Sequence, residues 1–307
     1  MNELVAEQRK SDRSGTRANT AESFTLKLIR RGFSLFAPVA PRLCGRIAYQ
    51  LWITPPRFPA PQRERDSLAQ GEQTMLDFDG QQIATCTWGS GDDEPGILLI
   101  HGWSGRGTQL ASFVKPLLEL GYRVTAFDAP AHGNSSGRQT NLYQVVDTIL
   151  ELDRRRGNYS AVITHSFGGP CLAAAMKRGL NTDCVVNISP PSTVIGLVDK
   201  FSAALRLPEK VHKELVRTIE HKFGERVWEQ AAMENNIRDI DVPALVVHDV
   251  DDIDVPWHEG QAVAEAWSNA RFIKTAGLGH RRILKDDQTI SSVTDFIAEH
   301  TRANRAA

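Results

Sequence analysis

The stretch Ala161-Val162-Ile163-Thr164-His165-Ser166-Phe167-Gly168-Gly169 decides the fold class. A short apolar run ends there in a serine and two glycines, then passes into a helical sequence from Pro170 to Arg178. A serine on such a sharp strand-to-helix turn is exposed at the sheet edge, beside the unpaired N–H groups of the helix N-terminus, which can meet a developing oxyanion. Outward from this point the same alternation repeats. Apolar runs of buried-strand type occur at Gly96 to Ile100, Arg123 to Phe127, Ala161 to Ile163, Cys184 to Ile188, Ala244 to Val247 and Arg271 to Lys274, with helical stretches between them. This βαβα order predicts an α/β protein with a doubly wound, mostly parallel central sheet and helices on both faces. Ligands of such sheets bind beyond the carboxyl ends of the strands, so chemistry is expected just after each run.

Three segments depart from the alternation. Thr74 to Asp79 and Gln82 to Trp88 flank Gly80 and predict a β-hairpin. About 50 residues separate Ile188 from Ala244, too many for a simple crossover; helical periodicity over Val194 to Leu205 and Glu209 to Phe223, with Pro208 between, predicts a small helical lid inserted over residues 189–241. Phe24 to Trp52 is apolar but interrupted by Lys27, Arg30, Arg31, Arg42 and Arg46, and Pro38 and Pro41 break it into two short helices. Two amphipathic helices packed on the main domain are the plainer reading of residues 24–52; a weak peripheral membrane contact with snorkelling cations is the sharper one. Residues 1–22 are polar and aperiodic and read as a disordered tail, 23–72 as the helical extension with a Pro- and Arg-rich connector from Pro55 to Gln73, and 73–300 as the main domain.

Of 307 residues, 41% are hydrophobic, enough for a large core without disulfides or metal. The 36 basic and 37 acidic residues give a net charge of -1, which argues against a nucleic-acid partner. Cys44, Cys86, Cys171 and Cys184 show no C-x-x-C spacing and read as reduced, buried thiols of a cytoplasmic protein. The chain opens on acidic and polar residues, so no secretory signal is expected. The absence of H-E-x-x-H argues against a zinc hydrolase, and the acid run after Val247 does not fit EF-hand spacing.

Five strand-end segments together resemble the α/β-hydrolase fold family. Thr164-His165-Ser166-Phe167-Gly168 resembles its nucleophile elbow, G-x-S-x-G, with the β-branched Thr164 where the first glycine is expected. His101-Gly102-Trp103-Ser104-Gly105 looks like the loop that contributes an oxyanion-hole amide, which implies the N–H groups of Trp103 and Phe167 as donors. His248-Asp249-Val250-Asp251-Asp252-Ile253-Asp254-Val255-Pro256 is similar to the acid-bearing H-G-x-x-D-x-x-V-P segment. Alignment on Val255-Pro256 selects Asp252, with Asp251 and Asp254 as close rivals and Asp249 standing where glycine is usual. Gly277-Leu278-Gly279-His280-Arg281-Arg282 resembles the loop of the catalytic histidine and implies His280 as general base. Phe127 to Ser135 resembles the D-x-P-G-H-G-x-S turn, with Ala131 replacing a glycine and a structural role.

The order Ser166, Asp252, His280 is the family's own, and the resemblance covers roughly Gln73 to Ile297. It implies a serine hydrolase that cleaves carboxylic esters through an acyl-enzyme, with no cofactor and no metal. Thioesterase, lactonase and amidase chemistry share such a triad, and a non-catalytic binding protein on the same fold is a further alternative. The apolar lid positions, Val194, Leu197, Phe201 and Leu215 among them, suit an apolar small-molecule acyl substrate and equally suit packing of the lid on the core.

Overall fold

The computed structural model describes residues 24–301 apart from 90, 92, 93 and 158; the tail expected over residues 1–22 lies outside the described residues. Eight strands form one sheet in the order β1-β2-β4-β3-β5-β6-β7-β8. β1 (Glu72–Phe78) and β2 (Gln81–Trp88) make the expected hairpin. Their two-residue turn, Asp79-Gly80, has both φ angles positive, 49° and 69°, as the twist of a tight hairpin demands. β2 is antiparallel to β1 and β4, and from β4 onward every neighbouring pair is parallel.

β3 (Gly96–Ile100), β4 (Arg123–Phe127), β5 (Tyr159–His165), β6 (Cys184–Ile188), β7 (Ala244–Asp249) and β8 (Ala270–Thr275) fall on the six apolar runs. Central strands are buried on both faces, and their alternating side chains feed two cores. Leu98, Ile100 and Val162 pack with helices on one side, Ile97, Leu99 and Ile163 with helices on the other.

A third core joins the N-terminal extension to the inserted helices. α1 (Phe24–Phe36) and α2 (Pro41–Trp52) contribute Phe33, Cys44, Ala48 and Tyr49, which meet Val198, Val211, Leu215 and Ile219. At Gly45 an added Cβ would lie 2.4 Å from that of Glu214, so glycine is what lets the two helices touch there. The connector departs from expectation: residues Gln62–Gln70 form a helix, α3. Pro61 opens it, Gln62 and Asp66 bond one turn apart at 2.6 Å, and buried Glu64 pairs with Arg106 at 2.9 Å. Polar composition reads as loop, but here it serves a helix clipped to the domain by one buried ion pair.

After β3 come a 3₁₀ segment (Gly107–Phe113) and α4 (Val114–Glu119); α5 (Leu142–Arg156) precedes β5 and α6 (Gly168–Lys177) follows it. The insertion holds α7 (Val194–Ala204), α8 (Glu209–Phe223), α9 (Val227–Ala231) and α10 (Met233–Asn236). Beyond β7 lie α11 (Trp257–Ala266), the short α12 (Gly279–Arg282) and α13 (Asp287–His300).

Candidate active site

Ser166 sits at the tip of the β5–α6 turn with φ of 52°, a left-handed conformation that an L-residue adopts only when its surroundings enforce it. The enforcement is visible. Its N–H donates to the Ile188 carbonyl (2.9 Å) and its carbonyl accepts from Gly169 (2.9 Å). A Cβ at Gly168 would come within 2.7 Å of the Ile100 carbonyl oxygen, and one at Gly102 within 2.9 Å of the Ser166 Cβ. Both glycines are thus required for the elbow to pack against the end of β3.

Thr164 raises no conflict in this turn. Its side chain is buried toward β6, where its hydroxyl donates to Asn187 Oδ1 at 2.7 Å. Thr164 and Asn187 are register partners, so the β-branched residue is held across the sheet and away from the turn.

The carboxylate run after β7 is distributed over the neighbouring loop. Asp252 Oδ2 accepts from His280 Nδ1 at 2.7 Å, while its Oδ1 accepts the N–H groups of Asp254 (2.9 Å) and Val255 (2.8 Å). Burial alone would raise its pKa, yet His248, whose Nε2 lies 3.4 Å from Oδ2, together with the hydrogen bonds from His280 and the Val255 N–H, holds it far below the usual carboxylate range. Asp251 takes the N–H of Gly277 (2.8 Å), and among the described residues the Asp254 side chain makes no hydrogen bond or ion pair.

Asp249, the residue in the glycine position, does more than the sequence reading gave it. Oδ1 accepts the N–H groups of Asp251 (3.0 Å) and Gly279 (2.8 Å); Oδ2 accepts that of Leu278 (3.1 Å) and the hydroxyl of Thr275 (2.8 Å). One buried carboxylate therefore fixes the start of α12 and with it the backbone of His280. The available signal was the density of acid itself, four carboxylates in the nine residues from His248 to Pro256 beside a glycine-bearing loop.

Histidines supply the rest of the frame. His165, inside the elbow, donates from Nε2 to the His280 carbonyl (2.9 Å), and its ring lies 4.5 Å from that of His280. Burial pulls its pKa down to about 3, so it is neutral. His101 accepts the Ala129 N–H (2.9 Å) and His132 that of Ser104 (3.0 Å); burial holds them at about 4 and about 3. These three are structural, as is His248, whose Nε2 donates to the Val255 carbonyl at 2.9 Å.

Ser166 and His280 line one cavity of about 480 Å³ together with Gly102, Trp103 and Leu197. With Nδ1 engaged by Asp252, the imidazole has Nε2 left for exchange with a reactant. The N–H groups of Trp103 and Phe167 meet no acceptor among the described residues, and the two side chains pack edge to face at 5.4 Å. Behind them a smaller cavity of about 50 Å³ is walled by Trp52, Trp103, Phe167, Val194 and Trp228.

A sequence model of the alpha/beta hydrolase family matches residues 97–291. The chain belongs to that family. A curated relative, lysophosphatidylserine lipase ABHD12 of Xenopus tropicalis, is 24% identical over 230 residues, which cover 66% of this chain and 57% of the relative, so the match spans little more than half of that protein's length. Among solved structures, a membrane phospholipase A described as a bacterial virulence factor superposes with a TM-score of 0.60 at 16% identity, over 92% of this chain and 97% of that one. The esterase PF2001 of Pyrococcus furiosus gives 0.59 at 20% identity over 81% and 98%. A thioesterase domain from the curacin biosynthetic pathway gives 0.54 at 16% over 74% and 99%. These likenesses establish the alpha/beta hydrolase fold and place lipases, esterases and thioesterases among its neighbours.

Proposed function

We propose that this alpha/beta hydrolase is a serine hydrolase that cleaves carboxylic esters through an acyl-enzyme. The observation that carries the reading is the His280 imidazole, fixed at 2.7 Å by a buried carboxylate, in one cavity with a serine held at positive φ. In this reading His280 Nε2 takes the Ser166 proton as Oγ attacks the ester carbonyl carbon. The carbonyl oxygen becomes an oxyanion facing the Trp103 and Phe167 amides, each such donor being worth about 3 kcal/mol to the transition state. Collapse expels the alcohol with the proton from His280; a water deprotonated by the same nitrogen then releases the acid and restores Ser166.

The aromatic wall behind the two amides supports an apolar acyl group, and the name of the curated relative supports a lipid-derived ester. Four buried, unbridged thiols support the cytoplasm as the compartment. Among the described residues no helix is long and apolar enough to cross a membrane.

The test is hydrolysis of p-nitrophenyl esters from acetate to palmitate by wild type and Ser166→Ala in parallel, with a fluorophosphonate probe on each. Serine-dependent turnover and labelling are expected, with Ser166→Ala slower by at least about 10⁴-fold. Turnover undiminished in Ser166→Ala, or absence of both turnover and labelling in the wild type, would refute the assignment.

A further inference from the structure

Exposed apolar side chains are not spread over this molecule. Of the twelve large ones among the described residues, seven lie between Phe24 and Ile47: Phe24, Leu28, Leu35, Phe36, Val39, Leu43 and Ile47. Phe24, Leu28 and Leu35 stand four and seven residues apart on one stripe of α1, 81%, 60% and 71% exposed. Leu43 and Ile47 repeat the spacing on α2, on the side turned away from the third core.

The charge of the same segment is one-sided. From Phe24 to Phe58 there are six cations, Lys27, Arg30, Arg31, Arg42, Arg46 and Arg57, and no carboxylate, in a chain whose net charge is -1. Arg30 is bound to the Ala204 carbonyl and Arg57 to those of Ala131, Ser135 and Gly137. Lys27, Arg31, Arg42 and Arg46 have no ion-pair partner among the described residues. Arg42 and Arg46 open onto a trough of about 460 Å³ shared with Arg217 and Lys222 of α8. Its one carboxylate, Glu214, is engaged by Arg217 at 2.7 Å.

We propose that the outer face of α1 and α2 docks on an anionic phospholipid surface. The apolar stripe enters the acyl boundary, while the flanking cations snorkel to lipid phosphates and the trough takes a headgroup. α1 is about 20 Å long and amphipathic, dimensions for lying in the interface and too short for crossing it. Charge disfavours a second copy of this face as its cover, since a two-fold contact would set the four unpaired cations, Lys27, Arg31, Arg42 and Arg46, against the same four. An acidic protein or a nucleic acid would engage the cations but leave the apolar stripe in water.

The test is flotation of the full-length protein with vesicles of phosphatidylcholine alone or mixed with phosphatidylglycerol, at rising salt. Binding is read without turnover, so its outcome is independent of the ester chemistry. The wild type is expected to float with the anionic vesicles only, less so as salt screens the contact. Arg42→Ala with Arg46→Ala should weaken partitioning about 25-fold, near five-fold per cation. Leu35→Ser and Leu43→Ser should each cost about ten-fold. All four positions are exposed, and unchanged circular dichroism and melting would show the variants folded. Failure to float on anionic vesicles, equal floating on both kinds with no effect of the arginine pair, or a wild-type dimer that Leu35→Ser disperses while vesicles are ignored would each overturn the proposal.

Discussion

The two halves of the candidate site are held by different physics. On the elbow side Ser166 is kept in place by steric exclusion: a positive φ, two glycines with no room for a Cβ, and histidines that are neutral because they are buried. On the acid side His280 is kept in place by ionised carboxylates, Asp252 on its ring and Asp249 on its backbone segment. A half built from contact distances should respond to added volume. A half built from charge-assisted hydrogen bonds should respond to loss of charge and to strong acid.

The largest effect is expected where charge meets chemistry. Asp252→Asn keeps the shape but presents an amide that cannot hold the same tautomer of His280, and kcat for ester hydrolysis should fall about 10⁴-fold with the fold intact. A loss below ten-fold would mean that His280 does not need its carboxylate.

Acid should dismantle the halves in sequence. His101, His132 and His165 are held at about 4, 3 and 3 against an ordinary value of 6.5, so below that value the unfolded chain binds protons that the folded chain refuses. The slope of unfolding free energy with pH is then positive, and stability declines as pH falls from 6.5 toward about 3. Asp249 and Asp252, with depressed pKa values, lose their contribution only as pH falls below the ordinary 3.8. Thermal melts should therefore drop first below pH 6.5, from the elbow side, and steepen below pH 4. A melting temperature flat between pH 7 and 5 would contradict neutral buried histidines.

A matched pair of substitutions separates the halves at smaller scale. Gly168→Ala adds a methyl 2.7 Å from a carbonyl oxygen and should cost about 1–3 kcal/mol of stability, read by urea unfolding. Asp249→Asn removes a charge that four donors share. It should lower kcat about 10- to 100-fold with KM little changed, because it loosens the segment beneath His280 and leaves the cavity as it was. If Asp249→Asn proved as inert kinetically as a surface change, the carboxylate would be a stabiliser of the loop and no more.

How far the sequence could be read follows the same division. The strand runs and their mostly parallel sheet were legible because apolar runs are properties of contiguous residues, and the loops bearing Ser166, Asp252 and His280 were legible through their resemblance to short contiguous family motifs. Alignment of the resembled motif on Val255-Pro256 selects Asp252 over Asp251 and Asp254, and Asp252 is the carboxylate that accepts from His280 Nδ1. The work of Asp249 was not legible, since it joins residues 249 and 279, and sequence distance hides which amides a carboxylate will find. α3 was missed for a related reason: its anchor is the Glu64–Arg106 pair, 42 residues apart.

Thr164 gives the finest test of the comparison, because it lies in the steric half yet is held by a hydrogen bond. Its hydroxyl is the donor to Asn187 Oδ1, and the Asn187 amide nitrogen has no hydrogen-bond partner among the described residues. Thr164→Val keeps the branched shape and removes that donor, which leaves the buried Asn187 side chain unsatisfied at a cost of about 1–2 kcal/mol. For a chain of this size that is a melting temperature lower by about 2–6 °C, with kcat nearly unchanged. A large loss of kcat with normal melting would instead make the Thr164–Asn187 bond part of what shapes the serine turn, and the elbow would no longer be a purely steric device.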